Sequence, residues 1–433
     1  MKKISFFFVI AVSLIALVVN KSANTKAPFL TVVGFVKMAD GLGRQCPDMI
    51  EALHQEFDVG FIPLQKIQWR DVPHSITKIL KNPAKKQGTV VFFNDNPWSP
   101  VKKKKFWMLK NKKNYGALSA FETPKNKDQI RICYTMVEST LIPKPWVEVL
   151  NTYFDIVAVP DPFLEKVFAD SGVEIPIFTL PLGLNLKPYL DKPLKSSFNQ
   201  VFRFACMGAL GERKNQITLI KAFDKAFNKD PNIELLIHSR MANKIYSEKF
   251  HTCLKELNNP MIRLENSCLD NTSYQKLFSS LDMLVNVSKG EGFSIQPREA
   301  MALGIPVLMS NNTAQKTIID NTVSATVETP YKNPCYYSYL SLFAGDNFDC
   351  DVDELALALQ KAYNNRYELL SQNEKNKNYA RQFDYPQIKG LYKTLISPKK
   401  VTLGEKNILS VAGVETNSKE LAEKWQRLTG AVL

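Results

Sequence analysis

Short runs of Val, Phe, Ile and Leu recur along this chain, each followed by a Gly- or Pro-marked loop and a helical spacing of apolar residues, in two separate series. The first series holds "LTVVGFV" (30–36), "GTVVFFND" (88–95) and "DIVAV" (155–159). Apolar runs of that length without alternation suit strands buried on both faces, as in a parallel sheet. After the first run, Gly41 and Gly43 mark a loop, Pro47 suits a first helical turn, and Met49, Ile50, Leu53 and Phe57 fall at helical spacing. Gly172 lies near the end of the helix that follows "DIVAV". A break rich in Pro, Lys and Ser, "LPLGLNLKPYLDKPLKSSFNQ", precedes the restart. The second series reads "VFRFACMG" as strand, then "ERKNQITLIKAFDKAFNKDP" as one helix with Ile217, Ile220, Phe223 and Phe227 on one side. "IELLIHS" is the next strand, "YQKLFSSLDMLVNVS" a helix and strand, and "DELALALQKAYNNRYELL" a late helix. The expectation is two α/β domains in series, 27–195 and 200–375, with ligands in the cleft at the carboxyl ends of the strands. A chain of 433 residues is long enough for two cores.

Composition narrows the class. Hydrophobic residues make up 45%, enough for packed domains, and the formal net charge of +14 points to an anionic partner such as a phosphate-bearing substrate or a membrane surface. Seven cysteines without a CxxC pair argue against a zinc ribbon or redox motif and fit reduced, mostly buried thiols. A Cys335–Cys350 bridge stays open on sequence grounds. His54, His74, His238 and His251 form no metal pattern, and neither a metal nor a cofactor is expected.

Two segments speak to location. Residues 1–26 begin with two lysines and an apolar run over 4–19, read as a membrane anchor in preference to a cleaved export signal, since no small-x-small cleavage site is evident. Between Val101 and Tyr115 lie seven lysines and no acid, with Phe106 and Trp107 among them. Lys102 to Lys113 would suit an anionic membrane surface. No nucleic-acid-binding motif accompanies them, and an exposed solvated loop is the plainer alternative. The tail over 397–433 is lysine-rich, then weakly helical, and receives no role.

The richest stretch is "KGEGFSIQPREAMALGIPV" (289–307). It follows a buried strand, so its loop opens on the cleft. Pro297 suits the first turn of a helix that Gly304 closes. N–H groups at a helix start attract an anion such as a diphosphate. Gly292 lets backbone approach closely. Glu291 and Glu299 flank the turn, and carboxylates hold paired hydroxyls. The combination points to a nucleotide-sugar, with a hydroxyl-rich ring at each end of a diphosphate. Taken singly, each glutamate has a plain alternative: a loop carboxylate, and a first-turn acid that suits the helix dipole.

The stretch resembles the E-x7-E signature of retaining GT-B glycosyltransferases, the group 1 or GT4-like family. "GALGERKNQITLIKAF" resembles the first strand–loop–helix of that family's donor domain. "MADGLGRQCPDMIEAL" resembles its glycine loop, and "YTMVESTLIPKPWVEVLNTYFDIVAVPDPFLEKVFADSGVEIPIFTLPLGLN" the end of its acceptor domain. The resemblance spans about Phe29 to Gln382 and implies a GT-B fold of two Rossmann-like domains, with 376–396 crossing back to the first. It implies that Glu299 holds the donor ribose and that Glu291 faces the transferred sugar. Gly292, Phe293 and Ser294 would meet sugar and phosphate, and Lys214 would neutralise the leaving diphosphate. Gly41 and Gly43 would give the loop room near that diphosphate. The family often carries Gly-Arg where this chain has Gly208-Ala209, and Arg213 is the candidate substitute. No protein nucleophile is nominated. The implied activity is sugar transfer with retention to a glycan, lipid or protein acceptor. The alternative is a GT-B shell that binds nucleotide-sugar without turnover. A sugar-nucleotide epimerase or a phosphorylase is weaker still, since neither usually carries this arrangement.

Overall fold

The computed structural model describes residues 29–38, 41–97, 125, 127–239, 244–337 and 341–433. The leader over 1–26 and the lysine stretch over 102–113 lie outside the described residues. Six parallel strands build the first sheet: β1 (Leu30–Gly34), β2 (Val59–Pro63), β3 (Val90–Asn94), β4 (Ile130–Tyr134), β5 (Ile156–Val159) and β6 (Ile177–Thr179), in the order β2-β1-β3-β4-β5-β6. Six more build the second: β7 (Phe202–Met207), β8 (Ile233–Ser239), β9 (Ile262–Asn266), β10 (Met283–Asn286), β11 (Val307–Ser310) and β12 (Ala325–Val327), in the order β12-β11-β10-β7-β8-β9. Strands β1, β3, β5 and β10 are buried at every position, which is why their sequences are largely apolar without alternation.

The order of the second sheet is that of the doubly wound dinucleotide-binding fold, and it reverses direction between β7 and β10. The loops after these two strands leave on opposite faces and open a crevice between them. "GALGERK" and "KGEGFS" are those two loops. In the first sheet the reversal falls between β1 and β3, so the loop before Gly41 opens a crevice of its own. The two crevices face one another.

Three local readings need correction. The helix Gly41–Leu53 starts at the glycines, and Pro47 sits inside it. Pro47 has no N–H for the Gly43 carbonyl; that carbonyl instead accepts the Lys37 N–H at 3.0 Å, pinning the β1 loop to the helix. The segment after β7 is not one helix. Glu212–Lys214 is a tight 3-10 turn, Asn215 takes a left-handed conformation (φ 59°), and the helix runs only over Gln216–Phe227. The late helix is two, Val352–Asn364 and Arg366–Ser371. Cys335 and Cys350 are free thiols, so the bridge left open by sequence is absent.

Two features carry little periodic signal and were not anticipated. An antiparallel hairpin, β13 (Tyr331–Tyr337) and β14 (Leu342–Asp349), leaves the second domain and docks on the first. Leu141 and Thr140 donate backbone hydrogen bonds to Ala344 and Asp346. Gly345 sits at φ 73°, where a side chain would run into Thr140. The tail is ordered structure: β15 (Val401–Leu403), β16 (Ile408–Leu409) and β17 (Val414–Thr416) form a small sheet, followed by the helix Lys419–Thr429. That helix packs on the first domain. Trp425 is fully buried with its ring edge-on to Phe178, and Lys424 pairs with Asp155 at 2.7 Å in a buried bridge. The helix Tyr385–Ile396 also lies there, where the Tyr392 hydroxyl accepts from Gln45 at 2.6 Å. Among the described residues no helix is long and apolar enough to cross a membrane.

Trp425→Ala should destabilise the first domain by about 3–5 kcal/mol, the usual cost of emptying a large aromatic site. Chemical denaturation would show it; a loss under 1 kcal/mol would mean that the tail merely lies on the surface.

Candidate active site

The cleft between the domains encloses about 620 Å³. Glu291, Glu299, Lys214, Arg213, Gly292, Phe293, Ser294 and Gly41 all line it. Gly43 does not share that wall: its bare Cα makes room for the Lys37 carbonyl, 2.7 Å from where a Cβ would sit.

The loop after β7 delivers the cations. The left-handed turn at Asn215 is held by its side chain, which donates to Asp349 and accepts from Thr218, both at 2.8 Å. Lys214 and Arg213 thereby leave the helix and reach the loop after β10. Lys214 Nζ bonds Glu291 Oε1. Arg213 Nη1 donates to the Gly290 carbonyl at 2.7 Å and lies 3.0 Å from Glu291 Oε2. Arg213 Nη2 stands 3.5 Å from Glu138, on the loop after β4. Burial alone would raise the Glu291 carboxyl, but the charges of Lys214 and Arg213 and hydrogen bonds from Lys214 and Ser288 bring it down to about 2. Glu291 is therefore a carboxylate throughout the physiological range. It can accept from a hydroxyl or balance cations, and it cannot deliver a proton.

Glu299 lies one helical stretch away, on Ile295–Ala302, and is almost fully buried. Tyr274 donates to one of its oxygens at 3.3 Å and Arg44 to the other at 3.4 Å. Arg44 comes from the first domain and also meets Asp48 at 3.3 Å. Burial pushes the Asp48 carboxyl up to about 6, and Arg44 offsets only part of that. The helix start is open to the cleft: Ile295 and Gln296 line it, and Ser294 precedes it at φ 63° with its hydroxyl accepting from Asn286 at 2.9 Å. Free N–H groups and the helix dipole favour an anion there.

Arg298 holds this turn in place. It is 1% exposed, stacks on Phe293 at 3.8 Å and Phe383 at 4.3 Å, and donates to the carbonyls of Phe293 and Ser294. Its charge faces Asp161 of the first domain at 3.6 Å, and Thr317 donates to the same carboxylate at 2.7 Å. The glycines of the motif serve the domain contact directly. A Cβ on Gly292 would lie 2.7 Å from Met136 Sδ, and one on Gly290 would run into the Glu138 carbonyl. Sequence spacing missed Arg44, Tyr274, Glu138, Asp161 and Arg298. The available signal was Arg298 itself, the one cation of the helix Ile295–Ala302 and the neighbour of Glu299. His238 is buried in β8, with the Ser267 hydroxyl 3.5 Å from Nε2. Among the described residues no group of three or more His, Cys, Asp or Glu side chains is placed to hold a metal ion.

Removing Arg298 would strand Asp161 as a buried charge, so Arg298→Met should cost about 3–5 kcal/mol in a denaturant titration. Glu291 gives a pH signature. Its folded carboxyl is depressed, so its contribution is present above the ordinary value of 4.5 and fades as pH falls toward about 2. The size is on the order of 3 kcal/mol. Glu291→Gln should flatten that acid limb; an unchanged limb would dissociate Glu291 from its two cations.

Comparisons with known proteins bear on the fold. Residues 194–335 match the family of glycosyl transferases group 1. No curated protein matches the chain. Anabaena HepE in complex with UDP is similar in structure, with a TM-score of 0.60 and 13% identity over 85% of this chain and 99% of that one. An E. coli trehalose-6-phosphate structure bound with UDP-2-fluoro glucose has a TM-score of 0.56 and 11% identity over 85% of this chain and 98% of that one. S. aureus TarM, in a complex containing UDP, has a TM-score of 0.52 and 14% identity over 71% of this chain and 55% of that one. The chain has the two-domain GT-B fold, and residues 194–335, which make up most of its second domain, are similar to the group 1 glycosyltransferases.

Proposed function

We propose that this protein is a retaining glycosyltransferase that moves a sugar from a nucleotide-sugar to a hydroxyl of a glycan, lipid or protein. The observation that carries the reading is the convergence, in one interdomain cleft, of Lys214, Arg213, Glu291, Glu299 and the open start of the helix Ile295–Ala302. Glu299 and Tyr274 hold the ribose hydroxyls. The diphosphate lies at the helix start and against Lys214 and Arg213, with the Gly292–Ser294 backbone beside it and Gly41 opposite. Glu291 accepts from a hydroxyl of the transferred sugar. Arg213 takes the place of the arginine that many family members carry where this chain has Ala209.

Chemically, the bond from the anomeric carbon to the diphosphate oxygen breaks and a bond from the acceptor oxygen forms on the same face. The acceptor proton passes to the departing phosphate oxygen. Lys214 and Arg213 stabilise the charge that builds on the leaving group. UDP is the first nucleotide to test, because HepE and TarM are seen with it. Residues 1–26 would attach the enzyme to a membrane, with Lys102 to Lys113 as a second contact. A shell that binds without turning over is the second reading, supported by Ala209 in the cleft wall.

The test is a melting series against UDP-, GDP- and ADP-sugars. A donor at 100 times its Kd should stabilise the protein by about 2.7 kcal/mol; no shift with any of them sinks the proposal. Glu299→Ala should weaken donor binding. Lys214→Ala should lower kcat by roughly a hundredfold or more while changing donor affinity less. Donor binding without transfer or slow donor hydrolysis would favour the silent shell.

A further inference from the structure

Arg213 is held by three acceptors, and they differ in kind. The Gly290 carbonyl and Glu291 belong to its own domain, and Glu291 is buried and shared with Lys214. Glu138 belongs to the other domain. Its side chain is 29% exposed on the cleft wall, and its far oxygen accepts from the Tyr337 hydroxyl of the hairpin at 3.2 Å. Lys214 and Arg213 thus face two carboxylates, and the charges of these four side chains cancel. A cleft meant to hold a diphosphate gains nothing from a second carboxylate beside its arginine. That carboxylate competes with the phosphate for the same guanidinium.

Resting on the reading above, we infer that Glu138 sets how tightly the cleft holds the leaving nucleoside diphosphate, by competing for Arg213. The carboxylate faces Nη2 at 3.5 Å. The diphosphate takes the guanidinium over when it binds or forms. Glu138 reclaims it as the product departs, which speeds release. Glu291 is badly placed for this task, because moving it would leave Lys214 facing no carboxylate in a buried site. Glu138 can let go at low cost: it is part-exposed, and Tyr337 holds its other oxygen, not the one that faces Arg213. It acts through Arg213 and is a positioning residue, not a catalytic one. The hairpin enters the same argument. Tyr337 reaches Glu138 from β13, with its ring 5.0 Å from that of Trp146, so the insertion aims the competitor.

The experiment measures Kd by calorimetry for UDP, GDP, ADP and uridine with the full chain, in wild type, Glu138→Gln, Glu138→Ala, Arg213→Ala and the Glu138→Gln/Arg213→Ala double variant. Glu138→Gln keeps the shape and removes the charge. It should tighten the nucleoside diphosphate that wild type prefers by roughly tenfold, the equivalent of about 1.4 kcal/mol, with a slower dissociation rate. Uridine, which lacks the phosphates, should bind both proteins alike, which a general loosening of the cleft would not produce. Glu138→Ala should tighten in the same direction, and the gain should vanish in the Arg213→Ala background. Unchanged or weaker diphosphate binding in both Glu138 variants, or a gain that survives loss of Arg213, overturns the inference while leaving the transferase reading intact. A wild type that binds none of the three diphosphates overturns both.

Discussion

The site depends on a buried cation that does not line the cleft. Arg298 lies under the turn of the E-x7-E motif, between two aromatic rings, and donates to the Phe293 and Ser294 carbonyls. A guanidinium suits that position because it is planar, stacks on rings and keeps its charge. Taking the charge out of water is costly, and the compensation comes from Asp161 across the domain boundary. One pair therefore shapes the turn and fixes where the first domain sits against it. The left-handed backbone at Ser294, which points the helix start into the cleft, is tolerable only inside such a frame.

Much of the architecture was legible in the chain because parallel strands buried on both faces leave an unusually plain record. β1, β3, β5, β7, β8 and β10 are apolar runs of four to seven residues, and each appears where the pattern placed it. Helix boundaries were less legible. Pro47 reads as a first-turn residue because that is its commonest use, yet here the carbonyl it orphans finds the Lys37 N–H, a partner on a different segment. Asn215 ends one reading of a helix through a backbone conformation that composition does not announce. The hairpin was invisible for another reason. Only Ala344 and Gly345 of its strand positions are buried, so it shows no alternating apolar face.

The candidate site divides along the same line. Residues close together in sequence, Glu291 with Glu299 and Arg213 with Lys214, stood out because a loop after a buried strand has one place to go. Arg44, Glu138 and Asp161 did not. Each meets its partner more than seventy residues away and across a domain boundary. Gly292 was read as room for a ligand, and the neighbour seen so close to it is Met136. Small residues in a motif of this kind answer to protein neighbours as well as to substrate, and spacing alone does not separate the two demands.

The chain crosses between the domains twice, and the crossings are tied together: Leu184 donates to the Phe383 carbonyl at 2.8 Å and Tyr385 to the Leu184 carbonyl at 3.1 Å. What lies beyond the second crossing, the helix from Tyr385 and the small sheet and helix of the tail, belongs to the body that opens the sequence. The first globule is thus discontinuous in the gene. A recombination event at a single junction would transplant it without its closing piece, so shuffling this half onto a different donor module demands two simultaneous breakpoints.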